Sequence, residues 1–267
     1  MRIPLEDNFN DIIGKAGRGL KLSDEQVART AGVTVAEVAT AKAGTFNEAV
    51  VRKIAPVLGL GADALVASGK KAWYPADPGA INGLVCFNTP YEDMTVNSFV
   101  VFDPLTKVAA AFDTGADCTG MLTLAVKIQQ IFITHIHGDH ILALDQLKAQ
   151  TGAPAVVSNR EPLAGATAFA DGTQFKIGSL KVETRRTSGH IRGGVTYIVT
   201  GLSQRLAIVG DAVFAGSMGG GMVSYAEALQ TNRESILTLP EDTVICPGHG
   251  PLTTVGEQKL HNPFFTK

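Results

Sequence analysis

The apolar positions of this chain keep two different rhythms. Up to about residue 70 they fall in short helical blocks set off by capping signals. Ser23-x-x-Gln26, Thr34-x-x-Glu37 and Thr45-x-x-Glu48 each place a hydroxyl where it can accept an orphan N–H, with a side chain three residues on to reach back. Gly32, Gly44 and Gly59 follow where helix ends want a residue comfortable at positive φ. Helices are therefore predicted near 24–31, 35–43 and 46–58, after one around Phe9, Ile12 and Ile13. From about Val96 the pattern turns to strands. VNSFVVF and VAAAF flank a DPLTK turn as a β-hairpin, and FKIGSLKVE alternates around Gly-Ser as another. GVTYIVTGLSQRLAIVGD supplies two strands ending at Asp211, and TVICPGHG a short strand opening into a glycine-rich loop. HILALDQLKAQTG reads as one amphipathic helix closed by Gly152, and Ser224-x-x-Glu227 caps another through Leu239. The change of rhythm divides the chain into a helical domain at 1–70, a linker at 71–79 and a larger domain at 80–267.

Composition narrows the class. A hydrophobic fraction of 45% and a charged fraction of 18% suit a globular protein with a substantial core. The formal net charge of -2 gives no whole-chain pull toward nucleic acid or anionic lipid, and no apolar run is long enough to span a bilayer. The N-terminus lacks the basic and apolar regions of a signal peptide. Cys86, Cys118 and Cys246 are odd in number and widely spaced, as expected of small apolar side chains in a reducing, cytoplasmic setting.

The string LSDEQVARTAGVTVAEVATAKAGTFNEAVVRKIAPVLGL resembles helix-turn-helix domains of the Cro and phage-repressor type, in which the helix after the turn reads the major groove. Here that helix would be TVAEVATAKA, where only Thr40 and Lys42 can address a base edge and Glu37 would face phosphates. Residues 1–70 carry nine Lys/Arg against eight Asp/Glu, without the basic stripe of a DNA binder. A packing or dimerising role is expected instead, so the N-terminal helices could join a homo-oligomer.

The chemistry concentrates in IFITHIHGDH. An apolar run that reads as a buried strand opens directly into His135, His137, Asp139 and His140. His135 and His137, two apart in an extended segment, point the same way. Asp139 and His140 arrive as the chain turns into a helix, and Gly138 permits a tight turn. His190, Asp211 and His249 each sit just past a predicted strand, so five of the six histidines are accounted for and only His261 is left over. Nitrogen and oxygen ligands on rigid strand ends, with room for water, are what catalytic metal ions need.

On these residues the stretch 80–267 resembles the metallo-β-lactamase superfamily, whose α/β fold is an αββα sandwich with a binuclear site on one edge of its sheets. The resemblance implies that His135, His137 and His190 hold one divalent ion and Asp139, His140 and His249 a second, with Asp211 bridging. Zinc is the first expectation, and iron or manganese would also suit the ligands. It further implies that Asp113 in FDTG supports the site from behind. GDAVFAGSMGG and PGHGPLTTVGEQKLHNPFF are similar to the glyoxalase II (hydroxyacylglutathione hydrolase) branch. Ala212 and Gly220 depart from its usual threonine and arginine, and a chain ending just after NPFF would lack the helical domain that grips glutathione.

The chemistry implied is a metal-bridging hydroxide attacking a thioester or ester-type carbonyl of a small-molecule substrate, with Asp211 and Asp139 as catalytic residues. A lactonase or a mononuclear-iron persulfide dioxygenase are the rival activities of the same fold; a DNA-binding metal-site sensor is the rival outside enzymes. Arg192 is a candidate clamp for a substrate carboxylate. The loop at 216–222 is expected to be a mobile lid bringing Met218 or Met222 against substrate.

Overall fold

A computed structural model describes residues 2–266. Five helices lead: α1 (Phe9–Leu20), α2 (Asp24–Ala31), α3 (Val35–Lys42), α4 (Glu48–Val57) and α5 (Ala62–Gly69). The capping boxes of Ser23 with Gln26 and Thr34 with Glu37 form as the sequence predicts. The third does not. Helix α4 begins at Glu48, so this side chain sits in the first turn and cannot reach back. Asn47 caps instead, its Oδ1 accepting from Ala49 N (3.0 Å) and Val50 N (3.3 Å), while Glu48 pairs with Arg52 and Lys70. Gly32, Gly44 and Gly59 all take positive φ.

Two six-stranded sheets follow in chain order. The first runs β1 (Leu84–Tyr91), β2 (Met94–Phe102), β3 (Val108–Phe112), β4 (Lys127–Phe132), β5 (Ala155–Ser158) and β6 (Ala166–Phe169). The second holds β7 (Gln174–Ile177), β8 (Leu180–Arg186), β9 (Val195–Thr200), β10 (Leu206–Gly210), β11 (Val244–Pro247) and β12 (Thr253–Thr254). Strands β3 to β6 are parallel, which buries both faces and explains the apolar VAAAF and AVVS.

Between the sheets lies an aromatic core of Phe99, Phe112, Phe132 and Tyr197; the Phe112 and Phe132 rings stack at 4.9 Å. Short helices α6 (Thr119–Leu122), α7 (Gly138–Ile141) and α8 (Leu144–Thr151) cover the outer face of the first sheet with Met121, Leu144 and Leu147. The second sheet is covered by Val255 of α10 (Val255–His261) and by Ile236 and Leu239 after α9 (Tyr225–Ser235). This is the expected αββα layering. Two helices differ from expectation. HILALDQLKAQTG breaks into α7 and α8, leaving Leu142 61% exposed at the joint, and α9 stops at Ser235 rather than Leu239.

The five leading helices share a core with the rest of the chain. Phe9, Ile12, Ile13, Val51, Ile54 and Leu65 are completed by Met218, Tyr225, Ala228 and Phe264. Gly19 of α1 lies so close to the Tyr225 ring that any side chain there would collide with it. The irregular segment after α5 is likewise tied down: Trp73 stacks on His261 at 4.8 Å and Tyr74 donates to the Ile3 carbonyl (2.6 Å). Cys118 and Cys246 are fully buried and Cys86 half-buried, all three as free thiols among apolar neighbours. Burial pushes the Cys86 thiol up to about 12, far from thiolate chemistry.

Candidate metal centre

Every residue of the site leaves the sandwich at one edge, where strands stop. Asp113 follows β3, His135 to His140 follow β4, His190 lies beyond β8, Asp211 follows β10 and His249 follows β11. Parallel pairing of β3 with β4, and of β10 with β11, brings the ends of these strands level. The backbone pays local strain here: Asp113 itself has φ of 55°, a conformation unusual outside glycine. Gly210 has φ of 51°, and a Cβ on Gly248 would meet His140 Cε1 at 2.6 Å. Gly138 serves differently from expectation. It opens α7, and a Cβ there would meet the Tyr91 hydroxyl at 3.1 Å.

The seven candidate ligands converge. One group of atoms from His135, His137, His190 and Asp211 lies within 4.8 Å of one another, and a second comes from Asp139, His140 and His249. His137 Nδ1 is 3.1 Å from the Nε2 atoms of both His135 and His190. His249 Nε2 is 3.2 Å from Asp139 Oδ2. Asp211 joins the two groups: its carboxylate lies 3.9, 3.5, 3.2 and 3.5 Å from the Nε2 atoms of His135, His190, His140 and His249.

The outward nitrogens of four of the five histidines are engaged. His140 Nδ1 donates to Asp113 Oδ2 (2.8 Å), His249 Nδ1 to the Thr95 carbonyl (2.8 Å) and His190 Nδ1 to the Gly220 carbonyl (2.8 Å). His135 Nδ1 donates to Thr134 Oγ1 (3.0 Å), which in turn donates to Asp113 Oδ2 (2.7 Å). Thr134 N also donates to Asp113 Oδ1, so one buried carboxylate orients two imidazoles. Such partners hold the outward nitrogen and turn the opposite one inward, where a metal would take the place of any proton it carries.

Electrostatics agree with this geometry. Burial works against charge on His140, yet the Asp211 and Asp113 carboxylates outweigh it and push the imidazole up to about 10. His249 is raised in the same way to about 11, chiefly by Asp211. Burial opposes ionisation of Asp211, but His140 and His249 hold it well below the usual carboxylate range. His135 has its pKa lowered by burial, then by its neighbour His140. A site that keeps a carboxylate ionised at the centre of five histidines is built for cations.

Whether those cations are metals is tested by unpaired atoms. Asp211 Oδ1 and His140 Nε2 are buried without a hydrogen-bond partner among the described residues. They lie 3.2 Å apart but out of line for a bond with each other, as atoms aimed at a common third point would be. The donor set, imidazole nitrogen and carboxylate oxygen, fits zinc, iron or manganese.

The substrate-side candidates fare differently. Arg192 is exposed and forms no ion pair among the described residues. Met222 is 74% exposed, whereas Met218 is packed in the core of the leading helices. Met218 is therefore corrected from substrate contact to core residue: that core draws its side chain in and leaves no lid at this end of the loop. Sequence reading missed Thr134, whose hydroxyl was visible in IFITHIH but whose partners are set by β3. It also missed the carbonyls of Thr95 and Gly220, which no side-chain pattern marks. A cleft of about 630 Å³ alongside the His249 loop is lined by Arg2, Glu6, Asn88, Met94, Thr95 and Gly250. Burial raises the Glu6 carboxyl above its ordinary range, opposed by the nearby His249.

A two-sheet sandwich with helices outside and a His/Asp cluster at the strand ends defines a class of metal-site α/β proteins. The model of the metallo-beta-lactamase superfamily matches residues 93–249, more than half the chain, and the chain belongs to that superfamily. It is 34% identical over 157 residues to a hydroxyacylglutathione hydrolase of Methylobacterium nodulans, a match covering 56% of this chain and 60% of that relative. It is 33% identical over 160 residues to the probable metallo-hydrolase YqgX of Bacillus subtilis, covering 50% of this chain and 74% of that one. Among solved structures, the BLEG-1 B3 metallo-beta-lactamase superposes with a TM-score of 0.59 at 26% identity, over 68% of this chain and all (100%) of the other. Among the described residues no helix is long and apolar enough to cross a membrane.

Proposed function

We propose that the chain is a binuclear metallohydrolase that cleaves a thioester or ester-type bond in the manner of glyoxalase II. The observation that carries this reading is the position of Asp211 within 4 Å of Nε2 atoms from both histidine groups. His135, His137 and His190 would hold one ion, Asp139, His140 and His249 the other, with Asp211 shared. His137 would bind through Nδ1 and the other histidines through Nε2. When bound, such ions supply a lowered pKa for water and polarisation of a carbonyl oxygen. Asp139, buried in the site with Oδ2 3.2 Å from His249 Nε2, would take up or hand on a proton. Asp113 and Thr134 hold the imidazoles in register.

The hydroxyacylglutathione hydrolase relatives support thioesters as the first substrates to try. Arg192, exposed two residues from His190, is available to hold a substrate carboxylate, and the cleft beside Gly250 has room for the body of a small molecule. A mononuclear-iron dioxygenase would leave Asp139, His140 and His249 without a task. For the leading helices the reading is a packing role. Lys42, one of two base-reading candidates on α3, is tied to Asp24, and the helices share their core with Tyr225 and Phe264.

The test is a purification with elemental analysis followed by thioesters, lactones, phosphodiesters and β-lactams, with oxygen uptake recorded in parallel. Two equivalents of metal and turnover of a thioester or ester without oxygen consumption are expected. One iron with oxygen uptake would overturn the assignment. A gel shift on random duplex at low salt is expected to show no binding.

A further inference from the structure

The glycine-rich loop after Asp211, expected to be a mobile lid, is held from two sides. Asn262 Nδ2 donates to the Ser217 carbonyl (2.7 Å) and Gly216 N donates to Gln258 Oε1 (3.0 Å), both from the C-terminal helix region. From the opposite end of the chain, Lys15 Nζ donates to the Met218 carbonyl (2.9 Å) and to Asp7 Oδ2 (2.5 Å). Asp7 Oδ2 also accepts from Ser217 Oγ (2.5 Å). The Lys15 and Asp7 side chains are only 16% and 8% exposed, so this pair is shielded from water and salt.

What the clamp holds is the back of the metal site. Directly beyond Met218, Gly219 N donates to the Asp211 carbonyl (3.1 Å), and the Gly220 carbonyl accepts from His190 Nδ1 (2.8 Å). On the other side of the clamp, the Phe214 ring lies 5.2 Å from Lys15 Nζ and meets the His249 ring edge-on at 5.6 Å. One buried ammonium thus touches the loop that backs three candidate ligands.

We infer that Lys15 and Asp7 are positioning residues of the metal centre, fixing His190 and Asp211 through the loop 214–220. The inference rests on the proposed metal binding. If the loop relaxes, the Gly220 carbonyl leaves His190 Nδ1, and the imidazole loses the partner that keeps Nε2 bare and aimed inward. The leading helices then belong to the site's construction.

The experiment uses the full chain, stripped by chelation and titrated with zinc by calorimetry, with His190→Ala identifying the binding event of the His135/His137/His190 group. Lys15→Met should weaken that event by about 10-fold, the low end for loss of outer hydrogen-bond support, and leave the other event within about 2-fold. Lys15→Arg should restore most of the affinity, which a loss of general stability would not predict. Hydrogen exchange in the metal-free protein should quicken at the amide of Gly219, which donates to the Asp211 carbonyl. Should Lys15→Met fail to fold, Ser217→Ala removes a single bond of the clamp and should act in the same direction by about 3-fold. Unchanged affinity and unchanged exchange in both variants would overturn the inference while leaving the metal site intact. A wild-type chain that binds no zinc, iron or manganese would overturn both together.

Discussion

Asp113→Asn replaces one carboxylate oxygen with NH₂ and should take the proton from Nδ1 of His140. The carboxylate accepts three bonds at 2.7, 2.7 and 2.8 Å, from Thr134 N, Thr134 Oγ1 and His140 Nδ1. An asparagine tolerates the φ of 55° and fills the same space, but it has one accepting oxygen. If that oxygen stays with the Thr134 amide, the side-chain NH₂ faces His140 and donates to Nδ1. The ring then gives up its Nδ1 proton and keeps the one on Nε2, the atom that faces Asp211 and Asp139. If the amide flips, its NH₂ is driven against the Thr134 N–H, and a buried donor goes unpaired. Either way one charge-assisted bond is lost, a cost of about 1.5–3 kcal/mol, or roughly 3–12 °C in Tm for a chain of this size. Metal affinity at the Asp139/His140/His249 group should fall by about 10–100-fold, with the His135/His137/His190 group less affected. Zinc titration against a competing chelator reads the affinities, and nitrogen chemical shifts of the imidazoles read the tautomer. Wild-type affinity at both sites, with the His140 proton still on Nδ1, would refute the reasoning.

Three other outcomes are expected. Gly248→Ala, whose Cβ would collide with Asp211 Oδ1 and crowd His140 Cε1, should abolish binding of both ions while the sandwich persists by circular dichroism; full metal content in this variant would contradict the packing described. Removing metal should lower the melting temperature, because a ligand at 1,000 times its Kd adds about 4 kcal/mol, or roughly 8–16 °C here; an unchanged melt after complete chelation would speak against a bound ion. Asp103 accepts from Ser179 N, Ser179 Oγ and Leu105 N, and these bonds, Ser179 N first, hold its pKa well below the usual range. Because the folded value is depressed, its contribution is fully present above the unfolded pKa of about 3.9 and is lost progressively as pH falls from there through the folded value; Asp103→Asn should therefore cost more stability at pH 7 than at pH 3, and an equal cost at both in urea unfolding would exclude this account.

The convergence of the seven candidate ligands was legible in the chain because these residues obey a local rule. A polar ligand that directly follows an apolar strand, as His135 follows IFIT and Asp211 follows IVG, has its direction set by the strand. The edge strand β1 was not legible, since Asn88 and Pro90 interrupt its apolar pattern and none of its residues is fully buried. Strands β5 and β6 have four residues each, too few for a period to show, and their pairing is fixed by the parallel sheet around them. Met218 was misplaced for a related reason: a methionine among glycines looks like a flexible loop until Phe9, Ile13 and Tyr225 are known to form a core beside it.

The same reasoning explains the C-terminal string NPFF, which carries no chemistry of its own. Asn262 is fully buried, and its side chain serves two segments at once: Nδ2 donates to the Ser217 carbonyl, while Oδ1 accepts from Phe264 N (3.1 Å). Phe264 then enters the core of the leading helices, and the Pro263 carbonyl accepts from Gly61 N at the start of α5 (2.8 Å). A residue more than fifty positions from His190 in sequence thus pins the loop whose carbonyl orients His190, and does so by docking the last residues onto the first helices. An alanine at 262 would leave Phe264 N buried and unpaired, at about 1–3 kcal/mol, and would leave the Ser217 carbonyl with Phe214 N as its remaining donor, loosening the clamp from the side opposite Lys15. A string that entered as a mark of resemblance is therefore a structural tie between the C-terminal segment, the leading helices and the candidate metal site.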